Sequence, residues 1–432
     1  MKKVMIITHL AYAAPRITSL AKYFLKYDWQ PIVVTPPLKN VTGLHLIDDE
    51  FLKKIRVIQV PYSDTINNLK QILGFNTQEG VRRQIEERFG TYSTKTLLLK
   101  SFIRFYKEIF YYPDQHRAWK SRAIKVSSGI LKNEYVNAMI SSSPPVISHL
   151  IAKELKIRYK IPWVADLQDL WSQNHNYPYS SLRNVIDRKL EVKTLSSADA
   201  LVTVSQPLAK KLKMLHKNKD VYTITLGFDT EEMNETLITP TSKFTITYTG
   251  QIYRGKQDPS KLFAALRELI SEGIINPNDV VIRFYGYKEP WLAEEIKKYG
   301  LSNIVRQYGL IPRKVALKKQ RESQLLLILN WEDPLEKGVY TSKIFEYLAA
   351  RRPIIATGGF GNDVVEILLN ETNAGFYASK IEDIKRILKE TYLEFKLNNN
   401  VSYHPREEVI NKYTYQNIAK SFVQILNNVS RY

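Results

Sequence analysis

The sequence predicts an α/β protein built as two doubly wound parallel-sheet domains, and three observations carry that prediction. Residues 325–359 read without a break as strand, loop, helix, strand and glycine turn, which makes one βαβ unit. The same alternation opens the chain and restarts near residue 244. A length of 432 residues with 44% apolar content suffices for two domains of roughly two hundred residues each.

In chain order, the β-rich runs 3–8 and 31–35 flank a helical stretch at 15–27, giving an opening βαβ unit. Residues 9–16 form the loop at the carboxyl end of that first strand, where open α/β sheets place ligands. A strand follows at 55–60, and the alternation then lapses across 63–114, which has the character of an insertion. Within it, residues 95–112 place Lys100, Arg104 and Lys107 on one helical face, with Leu98, Phe102, Phe105 and Phe110 as apolar bulk. Such a helix either packs on its own domain or lies in a bilayer interface. Residues 138–143, a helix opened by Pro144 and Pro145, and a strand at 163–166 form a second βαβ unit. A helix at 183–197 and strands at 200–205 and 221–226 complete the first domain, residues 1–229. The polar, proline-containing stretch 230–243 reads as the linker. Strands at 244–249, 280–285, 304–308 and 325–329 build the second domain, residues 244–412, three of them closed by Gly250, Gly286 and Gly309.

The uniformly apolar run 325–329 is too short for a helix and suits a strand buried on both faces. Thr341 and Ser342 are N-cap candidates for the helix that follows. Helical spacing puts Ile344, Phe345, Leu348 and Ala349 on one side and Lys343, Glu346, Tyr347 and Ala350 on the other. Lys343 and Glu346 thus share the first turn, where free amides and the helix dipole favour an anion. Lys343 suits a phosphate oxygen, and Glu346, an acceptor only, suits vicinal hydroxyls such as those of a ribose. The pair describes a nucleotide-sugar site, and equally a solvated i, i+3 ion pair. Arg254 and Lys256, in the loop after Gly250, would meet the same phosphates if the strands are neighbours. Gly358 and Gly359 form a strand-to-helix turn able to offer backbone amides to an anion.

Absence of cysteine excludes disulfides and thiolate metal sites and permits a reducing cytoplasmic setting. The apolar start stops at His9 without a cleavage site, so it is read as a strand rather than a leader, and no apolar run spans a bilayer. The net charge of +20 calls for an anionic partner. No zinc-finger spacing, recognition-helix pattern or RNP-like aromatic run is present, which makes nucleic acid the weakest of the candidates beside phosphorylated substrates and an anionic membrane surface, the strongest. No D-x-D triad occurs either, so no metal or other cofactor is expected.

The stretch KGVYTSKIFEYLAARRPIIATGG resembles the donor-site signature of the retaining family-four glycosyltransferases of GT-B fold, in the subset of bacterial surface-polysaccharide enzymes with an S-K-x-x-E-Y core. SSSPP at 141–145 and DLQDLW at 166–171 resemble the family's serine-proline-proline turn and D-x-R-D-x-W run, and Pro15 and Arg16 match its proline-and-arginine loop. The chain departs from the pattern at Gln168, Leu226, Gln251 and Gly338, the last replacing the first of two family glutamates. The resemblance implies two Rossmann-like domains facing across a cleft, with residues 413–432 crossing back to the first. It also implies a nucleotide-sugar donor held by Gly250, Arg254, Lys256, Thr341, Ser342, Lys343, Glu346, Gly358 and Gly359. Asp166 and Asp169 would be catalytic, Arg16 would meet the acceptor or a phosphate, and a carbohydrate or glycolipid acceptor would be met at the inner membrane face. A sugar-nucleotide 2-epimerase and a non-catalytic partner subunit share the implied architecture.

Overall fold

The computed structural model describes the chain apart from residues 14, 39–48, 63–73, 77–83, 85–93, 234–237 and 432. It divides into two units, one of residues 1–225 and 418–432 and one of residues 226–417. Each holds a parallel sheet with helices between successive strands, as the alternation in the sequence requires.

The first sheet runs β3-β2-β1-β4-β5-β6-β7. Its strands are β1 (Lys2–Ile7), β2 (Trp29–Thr35), β3 (Arg56–Gln59), β4 (Ala138–Ser143), β5 (Trp163–Leu167), β6 (Ala200–Thr203) and β7 (Val221–Thr223). The strand order reverses between β1 and β4, and the crevice outside their carboxyl ends is the place where such sheets bind ligands. The expected loop at 9–16 instead contains a helical turn, Leu10–Ala13, because Leu10 and Ala13 are buried and pin it down. The closing helix, Tyr415–Val429, packs Phe422 against Phe24 of the Arg16–Phe24 helix, and Lys2 donates to Asn427 at 2.7 Å.

The second sheet runs β10-β9-β8-β11-β12-β13. Its strands are β8 (Phe244–Thr249), β9 (Val280–Tyr285), β10 (Val305–Gly309), β11 (Leu325–Leu329), β12 (Ile354–Thr357) and β13 (Gly375–Ala378). Here the order reverses between β8 and β11. All five residues of β11 are buried, because alternate side chains enter two different cores. Leu325, Leu327 and Leu329 pack with Phe263 and Leu266, while Leu326 and Ile328 pack with Phe345 and Leu348. Close approach between neighbouring turns fixes Gly286, where a Cβ would lie 2.2 Å from the Gly250 carbonyl oxygen.

Of the amphipathic stretch, the helix Thr94–Phe110 is present, and Leu98, Phe105, Ile109 and Phe110 are exposed. The side chains of Lys100, Phe102 and Arg104 lie outside the described residues. No helix among the described residues is long and apolar enough to cross a membrane.

Candidate functional site

In the second unit, the charged groups gather at the β8–β11 reversal, at the start of the Lys343–Ala350 helix. Lys343 Nζ donates to the Tyr248 hydroxyl at 2.6 Å and lies 4.3 Å from the centre of its ring. Gly250 makes room for this arrangement, since a Cβ there would come within 3.2 Å of Lys343 Cε. Enclosure by protein lowers the Lys343 ammonium to about 8, with Glu346 acting in the opposite direction. Glu346 receives Arg313 Nη1 at 2.5 Å and Gln320 Nε2 at 3.4 Å, and the other nitrogen of Arg313 donates to Glu232 at 2.8 Å. Glu346 is therefore held by Arg313 from 33 residues upstream and is not paired with Lys343.

Ser342 stands at the N-cap position in helical backbone conformation, and no side chain caps the helix. The expected capping by Thr341 or Ser342 is thus not made, and the Ile344 and Phe345 amides instead donate to the Thr341 and Ser342 carbonyls, both at 3.2 Å, so the helix start meets an anion chiefly through its dipole. Thr341 Oγ1 is buried and has no partner among the described residues. Tyr347 and Ala350, expected on the outward side with Lys343 and Glu346, are buried as well. The Thr249 amide donates to the Tyr347 hydroxyl at 2.9 Å, tying the helix to the end of β8.

Arg254 is exposed in the loop after β8, whereas Lys256 is ion-paired with the buried Glu336. Gly358 and Gly359 turn the chain after β12 against Glu332 and Asn330, at the end of β11. Gly338, where the resembled family has its first glutamate, has φ +95° and donates its amide to Asp363 at 2.9 Å. A glutamate there would be strained by that backbone conformation.

In the first unit, Arg16 and Asp166 are both completely buried. Arg16 Nη2 donates to Asp166 Oδ1 at 3.1 Å and Nε to Oδ2 at 3.3 Å, while its remaining donors go to the carbonyls of Thr225 and Ile224. Ser142 Oγ adds a bond to Asp166 Oδ2 at 2.8 Å, and Gln168 Nε2 donates to Ser142 Oγ at 3.0 Å. Arg16 was expected to meet an acceptor or a phosphate, and Asp166 to face the reaction. Burial turns both into an internal tie between the loop after β1 and the end of β5.

Asp169, three residues on, opens onto a cavity of about 230 Å³ at the β1–β4 reversal. Its carboxyl is reached by solvent yet surrounded by protein, and desolvation raises it above the ordinary carboxylate range, with His175 opposing. The rim carries Tyr12 from the turn after β1, Pro144 and Pro145 after β4, and Trp171 after β5. The groups that sequence reading did not single out include Arg313, Gln320, Tyr248 and Asp114, each bonded to a residue 26 to 95 positions away.

The two parallel-sheet units make the GT-B fold. No family model and no curated protein sequence matches the chain. Among solved structures, it is similar to sucrose-phosphate synthase from Thermosynechococcus elongatus, at 12% identity over 99% of each chain with a TM-score of 0.60. It is similar to Anabaena HepE in complex with UDP-glucose, at 12% identity over 99% of this chain and 100% of that one, with a TM-score of 0.60. It is also similar to the lipopolysaccharide outer core galactosyltransferase WaaB, at 14% identity over 99% and 98% of the two chains, with a TM-score of 0.55.

Proposed function

We propose that this chain is a glycosyltransferase that moves a sugar from a nucleoside diphosphate to an acceptor hydroxyl with retention. The observation that carries the proposal is Lys343 at an uncapped helix start, next to Gly250 and one turn from a Glu346 held in place by Arg313. The positive end of the helix dipole and Lys343 suit the diphosphate, and the open lone pairs of Glu346 suit hydroxyls. In the transfer, the bond from the anomeric carbon to the diphosphate oxygen breaks and a bond to the acceptor oxygen forms. The acceptor's proton leaves with the diphosphate. Negative charge grows on the departing phosphate, which Lys343 and the helix start stabilise, with Arg254 in reach of solvent in the neighbouring loop. Asp169 is the carboxylate placed to meet an acceptor hydroxyl, while Asp166 holds the scaffold. The Anabaena structure with UDP-glucose supports a nucleotide-sugar reading of the shared fold.

The test is a binding screen of UDP-, GDP-, ADP- and dTDP-sugars against the parent, Lys343→Ala and Glu346→Ala. Weakened binding in both variants is expected, and unchanged binding of every donor would remove the donor site. Incubation with the bound donor alone separates a transferase from a sugar-nucleotide 2-epimerase, which would turn it over without an acceptor.

The acceptor we propose is a glycolipid or lipid-linked saccharide met at an anionic membrane surface on the cytoplasmic side. Support comes from two exposed apolar stripes in the first unit, Leu98, Phe105 and Ile109 on one helix and Leu182, Val185 and Ile186 on the helix Ser181–Leu195. The helices are joined by Arg183, which donates to the Glu108 and Tyr111 carbonyls, and by Glu108, which accepts the Ser180 amide. A net charge of +20 favours an anionic surface over a second copy of the chain. Co-sedimentation with phosphatidylglycerol vesicles, and loss of it in Phe105→Ser with Val185→Ser, is the expected result.

A further inference from the structure

The cavity at the β1–β4 reversal is chemically unlike the rest of this basic chain. Three aspartates, Asp114, Asp169 and Asp187, line it, and no lysine or arginine does. Two of them are already satisfied. Asp114 accepts the Ile147 and His116 amides, both at 2.7 Å, and Asp187 accepts the Tyr177 hydroxyl at 2.5 Å and Arg183 Nε at 3.2 Å. Arg183 itself is buried, with its guanidinium 4.5 Å and 4.6 Å from the ring centres of Tyr112 and Tyr179. It therefore offers no charge to a ligand.

Asp169 and Ser143 are polar groups open to a ligand. No described residue donates a hydrogen bond to Asp169, and Ser143, 1% exposed and lining the cavity, has an Oγ without a partner among the described residues. The rest of the wall is mainly aromatic or proline, with Val146, Leu170, Gln115 and Asn174 among it. Burial keeps the His116 imidazole neutral, lowering it to about 3, with His9 adding to the effect.

We infer that this cavity is the subsite for one uncharged pyranose ring of the acceptor, an inference that rests on the transferase reading above. A sugar presents an apolar C–H face to aromatic rings and hydroxyls around its edge, matching walls of Tyr12, Trp171, Tyr177 and Tyr179 with Asp169 and Ser143 as the polar contacts. A carboxylate accepts and a sugar hydroxyl donates, so Asp169 is suited to a hydroxyl. A phosphorylated or uronic ring would face the Asp169 carboxylate, which no lysine or arginine of the lining balances, since Arg183 is taken by Asp187. The acceptor is thereby restricted at this ring even though the chain as a whole attracts anions.

The experiment is saturation-transfer NMR with titration of the full chain by methyl glucoside, methyl galactoside, methyl mannoside, N-acetylglucosamine, glucuronate, glucose 6-phosphate and choline. Asp169→Asn and Ser143→Ala are titrated alongside the parent, and nucleotide-sugar binding is measured on each. At least one neutral pyranoside binds the parent, binding weakens about tenfold in Asp169→Asn, and the two anionic sugars do not bind. Nucleotide-sugar binding stays unchanged in both variants, which shows that they fold and keeps this test separate from that of the donor site. The inference is overturned if no neutral pyranoside binds, if the anionic sugars or choline bind more tightly, or if neither variant weakens binding. If nucleotide-sugars fail to bind the parent, the transferase reading fails instead.

Discussion

The Lys343 ammonium is held 2.6 Å from the Tyr248 hydroxyl, at the mouth of the β8–β11 reversal. Enclosure lowers it to about 8, so near neutral pH it is charged but close to losing its proton. A diphosphate favours the protonated form and raises the group again on binding. The affinity for a nucleoside diphosphate is therefore full below about pH 8 and falls as pH rises, by up to about tenfold per pH unit. Titration calorimetry with nucleoside diphosphates from pH 6.5 to 9.5 reads this directly. Lys343→Arg abolishes the slope, because a guanidinium keeps its charge over that range.

Arg313 bridges Glu346 and Glu232 in a half-buried setting. Arg313→Ala leaves two carboxylates facing each other without their shared cation. A stability loss of about 1–2 kcal/mol is expected by urea denaturation. Donor affinity falls as well, because Glu346 is no longer fixed. Arg313→Lys recovers only part, since one ammonium does not span both carboxylates as a guanidinium does.

The two aspartates of the DLQDLW run separate by stability. Asp166→Asn breaks a fully buried ion pair with Arg16 and costs about 3–5 kcal/mol. Asp169→Asn removes a carboxylate that is open to the cavity and leaves the melting temperature within a degree or two of the parent. Transferase activity is lost in both, but only the first loss follows unfolding, and thermal melts alongside activity at 15 °C distinguish them.

Gly286→Ala places a Cβ 2.2 Å from the Gly250 carbonyl oxygen. Backbone meets Cβ there, with no flexible side chain to yield, and about 1–3 kcal/mol of stability is lost. The Gly250 turn shifts with it, so donor affinity drops together with stability, measurable by differential scanning fluorimetry with and without nucleotide-sugar.

The architecture was legible in the sequence because buried parallel strands have a signature of their own. The run 325–329 is apolar at every position, and every position is buried. Lys343 and Glu346 were legible as a pair near a helix start, and both are at the β8–β11 reversal. Their partners were not, because helical spacing speaks only of residues three or four apart. Glu346 is bonded from 33 residues away and Lys343 from 95. Arg16 shows the same limit more sharply. A cation after a first strand looks solvent-facing until its partner, 150 residues later, is brought beside it. Lys256, matched to a basic pair at the donor site, proved to be taken by Glu336, 80 residues on.

Phe422 lies 5.1 Å from the Arg16 guanidinium and packs on Phe24, so residues 418–432 close the interior that shelters the Arg16–Asp166 tie. A ribosome adds those residues only after it has made all of 226–417. The lobe of residues 1–225 consequently waits for a segment made after the other lobe before its inner charges are sealed from water. A fragment ending at residue 225 would be born with that wound open.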